Sequence, residues 1–315
     1  MKLIKPNFEI IEQQAGLNGI YKIVELAGKV SHKSESNITE DSAKKFVDNM
    51  IKLGHGAPLE FGTIYLFIKV SCYDIKLINH IEEYQKNKYS IVKYLGVDDN
   101  SPECLDIMGN QGDGVEQYVI TTNFRNIVEN NWLDDLKYLC EPTEYHAKRY
   151  CVKFICDRGV SHEFVRHRTM SFLQESTRYC NYSSGRFNNE ITCIKPSWMR
   201  DIVCNKSYDC DLNITAQTPK DNYQNGEEKF ISSLVHSEDD YFSLLDQGWK
   251  PQQARQVLPN ALKTELFMCG YEEDWKHFFS LRSPKYGAKG VHPDAAYLAD
   301  CLYDEFIKEG FIESK

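Results

Sequence analysis

Residues 166–179 read RHRTMSFLQESTRY, and this stretch determines how the rest of the chain is interpreted. Two arginines flank a histidine, and a polar run leads to a further arginine at Arg178. The block from Arg149 to Arg186 holds six of the ten arginines in the chain, and none comes before Arg125. Lysine is the usual cation elsewhere, so arginine here indicates a need for the planar guanidinium, which binds phosphate or carboxylate through two hydrogen bonds. The stretch therefore predicts an anion-binding site.

The bulk composition fits a folded globular protein. The chain has 315 residues, 42% of them hydrophobic and 26% charged, which is enough to bury a sizeable core. Its net charge of −9 argues against a general nucleic-acid binder, although a local arginine cluster still suits an anionic substrate. Eleven cysteines without a Cys-x2-Cys pair predict neither a disulfide framework nor a zinc site. Without a signal-like start or an apolar run of membrane-span length, we expect a cytoplasmic protein with no membrane partner.

Periodicity and turn signals predict a mixture of helices and strands. Apolar residues at helical spacing predict helices at 39–54, 124–139, 226–248, 251–257, 271–281 and 293–309. Apolar runs rich in β-formers predict strands at 63–70, 117–122, 150–156 and 261–269. We expect residues 179–182 to pair with residues 191–194, and we expect an irregular loop at 200–226. Because these elements show no regular βαβ alternation, the predicted fold class is α+β.

One segment in the first half of the chain lacks a clear pattern. Residues 73–95 are compatible with a helix, whereas 96–114 carry turn signals without periodicity. We therefore expect an insertion or surface excursion at about 71–116.

Spacing excludes two familiar kinds of site. His162 and His167 are five residues apart, so their rings point apart on a helix, whereas the zinc-protease arrangement needs a spacing of four. No cysteine or carboxylate cluster completes such a site, so we expect no metal. No Gly-x-Gly-x-x-Gly follows a strand, so any dinucleotide is bound in a non-Rossmann manner. Cys180 follows Arg178 and Tyr179, and we interpret it as a strand residue rather than a nucleophile.

The arginine stretch also matches a known family pattern. The Arg-His-Arg triplet is followed after seven residues by Ser176, which opens a Ser-x-Arg-Tyr motif. This pattern resembles the signature of the flavin-dependent thymidylate synthases, the ThyX family. Three further pieces resemble the family in the same order along the chain. They are Gly-His-x-x-Pro-x-Glu at 54–60, Ala-Arg-x-x-Leu-Pro at 254–259 and His-Phe-x-x-Leu-Arg at 277–282. Phe61 stands where the family commonly has a histidine, and the resemblance leaves out 71–116 and 200–226.

The resemblance implies a fold, an assembly and an activity. Family members have an α+β fold with a central antiparallel-type sheet flanked by helices, so we expect a single catalytic domain over residues 1–315. They assemble as homotetramers whose subunits share each active site. They convert dUMP to dTMP by reductive methylation, with methylenetetrahydrofolate as the carbon donor. Reducing equivalents pass from NADPH through the cofactor FAD, so dUMP, folate and NADPH are the expected small-molecule partners, without nucleic acid.

The resemblance also implies roles for individual residues. The residues implied for dUMP are Glu163, Arg166, Gln174, Glu175, Ser176, Thr177, Arg178, Arg255 and Arg282. The residues implied for FAD are His55, Ala57, Arg166, His167, Arg168, Gln174, Tyr271 and His277. Arg282 is the implied catalytic residue, because its positive charge would favour the N3-ionised pyrimidine. Arg178 would bind the phosphate, and Arg255 would reach dUMP from a neighbouring subunit. Whether Gln174 or Glu175 faces the ligand stays open, because the family usually has a carboxylate at the first of these positions.

A second function class uses the same arginines. A non-catalytic nucleotide- or nucleic-acid-binding protein would place them on phosphates and would need no flavin. The acidic total charge and the lack of a long basic stripe disfavour this alternative. A flavin absorbance band in the purified protein would separate the two classes.

Overall fold

The computed structural model describes residues 1–31, 33–71, 73–98, 114–184, 187, 189–199, 212–213 and 225–314. Within this part the helices are α1 (Gly16–Val30), α2 (Ser42–Leu53), α3 (Gly56–Leu59), α4 (Ile75–Lys86), α5 (Phe124–Glu129), α6 (Arg158–Phe164), α7 (Gly226–Asp246), α8 (Pro251–Ala254), α9 (Glu272–Arg282) and α10 (Pro293–Lys308). The strands are β1 (Lys2–Ile4), β2 (Asn7–Ile11), β3 (Thr63–Ser71), β4 (Ile91–Asp98), β5 (Val115–Asn123), β6 (Arg149–Asp157), β7 (Ser171–Gln174), β8 (Thr192–Ile194), β9 (Leu212–Asn213) and β10 (Lys263–Tyr271). Short 3-10 helices lie at Glu35–Asn37, Leu133–Tyr138, Arg255–Val257 and Pro284–Tyr286. This mixture confirms the predicted α+β class.

The chain divides into two compact units. Unit 1 comprises Met1–Ile11, Lys29–Ser34 and Val152–Lys315, and unit 2 comprises Glu12–Gly28 and Glu35–Cys151. Each unit has a hydrophobic cluster of its own.

Unit 2 is built on the antiparallel sheet β3-β5-β4. Every second residue of β3 from Ile64 to Val70 is buried, because alternate side chains of a strand point to the same face. The helix predicted within 73–95 is right only in its first part. Helix α4 ends at Lys86, and the chain then forms β4, which pairs with β5 along the edge of the sheet.

Helix α2 ends where the sequence predicts but begins later. Gly54 adopts a left-handed conformation with φ of 67°, and its N–H donates to the carbonyl oxygen of Ile51 at 3.1 Å. The helix begins at Ser42 instead of near Thr39. The Ser42 hydroxyl accepts from the Thr39 N–H at 2.9 Å, so these residues form a turn ahead of the helix.

Unit 1 holds two sheets, with strand orders β8-β1-β9 and β2-β6-β10-β7. The predicted pairing of residues 179–182 with 191–194 is wrong, because β8 pairs in parallel with β1, from Lys2 opposite Thr192 to Ile4 opposite Ile194. Residues 179–182 do not form a strand. Cys180 is therefore not a strand residue, but it is 1% exposed, and burial raises the pKa of its thiol to about 12. Such a thiol is a poor nucleophile at neutral pH.

An aromatic cluster in unit 1 anchors the helices that carry the candidate site. Phe164 of α6 lies 5.0 Å from Phe154 of β6 and 5.0 Å from Phe278 of α9, measured between ring centroids. Trp275 of α9 lies 5.3 Å from Phe306 of α10. All five rings are fully buried, so this packing fixes the helices against β6.

The other predicted elements of unit 1 are present with small shifts. Helix α7 begins after Asn225, whose side chain accepts from the Glu228 N–H at 3.0 Å, and strand β10 lies two residues later than predicted. The loop predicted at 200–226 lies almost entirely outside the described residues. In the described part of the chain, no helix has the length and apolarity to cross a membrane.

Candidate active site

Helix α6 connects β6 to the arginine stretch, and a side-chain cap fixes its start. The carboxylate of Asp157 accepts from the N–H of Val160 at 2.8 Å, which satisfies a donor of the first turn. At its end, buried Phe164 anchors the helix, and the His167 N–H donates to the Phe164 carbonyl oxygen at 3.2 Å. The cap at the start of α6 and the buried Phe164 at its end together fix the position of residues 166–168, which follow the helix.

Arg282, the last residue of α9, is held by three hydrogen bonds. Its Nη1 donates to the Glu163 carboxylate at 2.6 Å, and its Nη2 donates to the Glu163 carbonyl oxygen at 3.0 Å. Its Nε donates to Nε2 of His167 at 3.3 Å. A guanidinium has five N–H groups, so two remain for a ligand. The fold thus brings Arg282 to Glu163 and His167, although more than a hundred residues separate it from both in the sequence.

His167 is the buried member of the Arg-His-Arg triplet, with 5% of its surface exposed. Burial, together with the positive charge of Arg282 and the nearby His277, lowers the pKa of His167 to about 4. The imidazole is therefore neutral at pH 7. Its Nδ1 is buried and has no hydrogen-bond partner among the described residues. The exposed ring of His277 lies 5.8 Å away.

Gln174 and Glu175 differ in burial and in partners. The amide nitrogen of Gln174 donates to the Ser161 hydroxyl at 2.8 Å and to the Thr264 hydroxyl at 3.2 Å. Glu175 is 2% exposed, and its carboxylate accepts from Lys263 Nζ at 2.9 Å. Gln174 is half-buried, so it is the more accessible of the two side chains.

Glu175 belongs to a chain of four alternating charges. Lys263 also binds the carboxylate of Glu265 at 2.9 Å, and Lys33 contacts the same carboxylate. Burial acts to lower the pKa of Lys263, but Glu175 and Glu265 raise it. Burial acts to raise the pKa of Glu265, but Lys263 and Lys33 hold it below its ordinary value. The Glu175 N–H also donates to the Glu265 carbonyl oxygen at 2.8 Å, so the network fixes the start of the loop after β7.

Arg255 lies against that loop in its own chain. Its Nη1 donates at 3.1 Å to the hydroxyl of Thr177, which is 8% exposed. The Ser176 hydroxyl accepts from the Arg178 N–H at 3.3 Å. The structure thus groups Arg255 with residues 176–178. That Arg255 serves a neighbouring subunit stays a prediction.

Three arginines of the candidate site have exposed side chains that are not paired with an anion. Arg166, Arg168 and Arg178 are exposed, and within the described residues none of their guanidinium groups forms an ion pair or a hydrogen bond. The Arg178 guanidinium lies over the ring of Tyr179 at 5.4 Å. Arg282, in contrast, is paired with a carboxylate. These three side chains give the site its capacity for anions.

The remaining predicted flavin residues occupy two places. Tyr271 ends β10 and is half-buried, and its N–H donates to the Asp274 carboxylate at 2.8 Å. His55 and Ala57 lie in unit 2 and are exposed. A Cβ atom on the intervening glycine, Gly56, would lie 2.7 Å from Nε of an arginine side chain in the same unit, so a larger residue there would displace that side chain.

Phe61 is fully buried. It is the residue that stands where the resembling family commonly has a histidine.

Sequence reasoning missed the residues that support the site. Lys263 and Glu265 are two residues apart on a strand, so their side chains share one face. Opposite charges at that spacing inside an apolar strand were the available signal. Ser161 and Thr264, whose hydroxyls accept from Gln174, have no comparable signal in the sequence. A single hydroxyl side chain is found in many buried and exposed positions that have no function. In the described residues no group of histidine, cysteine or carboxylate side chains could hold a metal ion.

Comparison with known proteins identifies relatives of the region around this site. The sequence model of the thymidylate synthase complementing protein family matches residues 144–309, which is more than half of the chain. The flavin-dependent thymidylate synthase of Geobacter sulfurreducens is 28% identical over 125 residues, covering 40% of this chain and 43% of that protein. The flavin-dependent thymidylate synthase of Mycobacterium tuberculosis H37Rv is 28% identical over 130 residues, covering 41% of this chain and 47% of that protein.

A viral relative and a solved structure are also similar to the chain. The probable flavin-dependent thymidylate synthase of Paramecium bursaria Chlorella virus 1 is 26% identical over 152 residues, covering 48% of this chain and 63% of that protein. The chain thus spans about half the length of the curated relatives that it matches. The crystal structure of the UMP/dUMP methylase PolB from Streptomyces cacaoi has a TM-score of 0.41 and 16% identity, over 98% of this chain and 93% of that one.

Proposed function

The chain belongs to the thymidylate synthase complementing protein family, and from this premise we propose that it is a flavin-dependent thymidylate synthase. The reaction is the reductive methylation of dUMP to dTMP, with methylenetetrahydrofolate as the carbon donor and NADPH as the reductant through FAD. Three curated relatives of the chain are named as flavin-dependent thymidylate synthases, one of them as probable. This agreement supports the proposal.

The observation that carries the proposal is a set of three exposed arginines that have no anionic partner among the described residues. Arg166, Arg168 and Arg178 present their guanidinium groups to solvent in a chain whose net charge is −9. Because the chain has more carboxylates than cations, an exposed cation can usually pair with a carboxylate nearby. A nucleotide phosphate satisfies several N–H donors at once, and each charge-assisted bond contributes roughly 1.5–3 kcal/mol. We assign Arg178 to the phosphate of dUMP.

The residues of the site fit a flavin. Nδ1 of His167 is a buried ring nitrogen without a partner among the described residues, and an isoalloxazine edge offers polar atoms that could complete its hydrogen bonding. Arg166 and Arg168 have guanidinium groups suited to a pyrophosphate. When bound, the flavin supplies the hydride chemistry of the reaction.

Arg282 is the residue that we assign to the pyrimidine. Its side chain is 16% exposed, so its charge acts in a medium of lower effective dielectric than water. Its hydrogen bonds to Glu163 and His167 hold the guanidinium before substrate arrives. Two unused N–H donors can therefore stabilise negative charge that develops on the pyrimidine, without a cost of reorganisation. Because His167 is neutral at pH 7, it adds no second positive charge beside the guanidinium of Arg282.

The test begins with the visible spectrum of the full chain after incubation with FAD and gel filtration. We expect a flavin band that bleaches with NADPH, and we expect dTMP when dUMP and methylenetetrahydrofolate are added. A chain that retains no FAD, and forms no dTMP at any FAD concentration, would contradict the proposed function, and binding of dUMP alone would then favour a nucleotide-binding protein without this catalysis. Omission of dUMP is the control for product formation.

A further inference from the structure

The contact between Arg282 and His167 determines where the imidazole carries its proton. Arg282 Nε donates to His167 Nε2 at 3.3 Å, and a guanidinium has no acceptor. Nε2 must therefore present a lone pair, which leaves the single proton of the neutral ring on Nδ1. The other tautomer would direct two N–H groups at each other. Arg282 thus favours one of the two tautomers of His167.

The favoured tautomer has a donor that the protein leaves unused. Nδ1 is buried, and among the described residues it has no hydrogen-bond partner. A buried donor without an acceptor is destabilising, whereas most buried polar groups are paired. The charged and titratable groups around the ring are Arg282, the Glu163 carboxylate bound to Arg282, and His277. None of them accepts a hydrogen bond from Nδ1.

We propose that Arg282 selects the Nδ1–H tautomer of His167, and that this N–H donates to an acceptor atom of a bound planar heterocycle. The acceptor is a carbonyl oxygen or an unprotonated ring nitrogen. The identity of the heterocycle rests on the proposed function, since both the flavin ring and the pyrimidine of dUMP offer such atoms. Arg282 then has two tasks, which are to stabilise charge on the substrate and to set the hydrogen-bonding direction of its neighbour.

The tautomer can be measured without any ligand or activity. We would record ¹⁵N–¹H correlation spectra of the imidazole groups in the full chain at pH 7, and assign His167 as the signal that is lost in His167→Gln. We expect Nδ1 to be protonated and Nε2 to be unprotonated. In Arg282→Met, which keeps bulk but removes the donor, we expect a mixture of tautomers. Arg125→Met, which changes an arginine paired with Glu60 and Glu129, is the matched control and should leave the signal unchanged.

Two results of that measurement would overturn the inference. One is an Nε2-protonated His167 in the wild-type chain, and the other is an unchanged tautomer in Arg282→Met. Because the measurement uses the ligand-free chain, its outcome does not depend on the proposed enzymatic function. Circular dichroism and the melting temperature would establish that each variant is folded.

The donor role is tested by a pair of substitutions. Asn places an amide N–H near the position of Nδ1, whereas Gln places its amide near the position of Nε2. We would titrate FAD and dUMP separately into wild type, His167→Asn and His167→Gln by calorimetry. We expect His167→Gln to weaken one of the two ligands by about tenfold, and His167→Asn to weaken it by less than about threefold. The ligand that responds is the one that accepts the hydrogen bond.

Other outcomes separate this inference from the proposed function. Equal losses in the two variants, or no loss in either, would remove the Nδ1 donor from the site. If the wild-type chain binds neither FAD nor dUMP, the proposed function fails, and the tautomer measurement still decides whether Arg282 controls His167.

Discussion

Arg282 donates from Nη1 to the carboxylate of Glu163 at 2.6 Å and from Nη2 to the carbonyl oxygen of the same residue at 3.0 Å. The two bonds fix the plane of the guanidinium relative to α6. The carboxylate also offsets part of the positive charge, which works against stabilising an anionic pyrimidine. Since the Glu163 side chain is 29% exposed and the Arg282 side chain is 16% exposed, water screens this opposing effect only in part. The two bonds also hold the guanidinium in place before substrate arrives, and we expect this orienting effect to outweigh the loss of positive charge.

Substitution of Arg282 tests its assignment to the pyrimidine. Arg282→Ala should lower turnover by about 100-fold or more, the scale for loss of one preorganised electrostatic donor. Flavin reduction by NADPH should persist, because that half-reaction does not need the pyrimidine to ionise. Arg282→Lys should recover only part of the loss, because an ammonium cannot bind both oxygens of Glu163 and His167 at once. Stopped-flow measurement of both half-reactions checks this. Slow flavin reduction with normal flavin oxidation would assign Arg282 to the cofactor instead.

Substitution of Glu163 separates orientation from charge. Glu163→Gln keeps an acceptor oxygen for Arg282 and removes the opposing charge, so turnover should fall by only about threefold. Glu163→Ala removes the carboxylate and leaves the guanidinium held only by the backbone carbonyl oxygen of residue 163 and by His167, so turnover should fall by about tenfold or more. Steady-state kinetics with saturating dUMP measures the difference. If Glu163→Ala were as active as Glu163→Gln, the carboxylate would not orient Arg282.

Arg178 is the predicted phosphate ligand. Arg178→Ala should weaken dUMP binding by about 2 kcal/mol, which is roughly 30-fold, and leave bound flavin largely in place. The matched control is Lys308→Ala, which removes an exposed cation of the same unit from α10. Calorimetric titration with dUMP compares the two variants with wild type. An unchanged dUMP affinity in Arg178→Ala would remove this residue from the phosphate role.

The sequence predicted those parts of the fold that depend on local pattern. Helices α7, α9 and α10 and strands β3, β5 and β6 were predictable, because their apolar periodicity and end signals are contained within each segment. Helix α1 was missed although its face from Ile20 to Val30 is apolar. Strands β1 and β7 were also missed. A strand of three or four residues is specified by its partner, and the partner of β1 lies about 190 residues away.

In the candidate site, too, the sequence predicted the residues that lie in local motifs but not the contacts between distant segments. The arginine triplet and Arg282 were found from short motifs, because their spacing is local. The contacts of Arg282 with Glu163 and His167 connect segments more than a hundred residues apart, and no local pattern encodes them. The burial of Glu175 was likewise hidden, because its partner Lys263 lies on β10, 88 residues further along the chain.

The buried charge network should make a measurable contribution to stability. Lys263→Met leaves the carboxylate of Glu175, which is 2% exposed, without its partner, so unfolding should be easier by about 3–5 kcal/mol at pH 7. Urea unfolding at pH 7 measures the change. Combining Lys263→Met with Glu175→Gln should reduce the loss, because the second substitution removes the unpaired charge. A fully additive pair of losses would contradict coupling between the two residues.

The same network predicts how stability changes in acid. Burial acts to raise the pKa of Glu265, but Lys263 and Lys33 hold it below its ordinary value. The folded state therefore binds this proton less readily than the unfolded state, whose glutamate pKa is about 4.3. The stabilisation from Glu265 is present above that pH and is lost as the pH falls through the lower folded value. The difference in unfolding free energy between wild type and Glu265→Gln should shrink below about pH 4, measured by urea titration across pH. A difference that is constant from pH 7 to pH 3 would contradict this assignment.

Mixing two inactive variants tests whether Arg255 completes the site of a neighbouring subunit, as the family resemblance implies. Sites that draw their arginines from two different chains could then contain both Arg178 and Arg255 intact. A mixture of Arg178→Ala and Arg255→Ala, each inactive alone, should therefore regain part of the activity after subunit exchange. Within one chain, Arg255 Nη1 donates to the Thr177 hydroxyl at 3.1 Å, next to Arg178. No recovery of activity, although mass spectrometry demonstrates subunit exchange, would indicate that this contact reflects a shared role and that both arginines serve the site of their own chain.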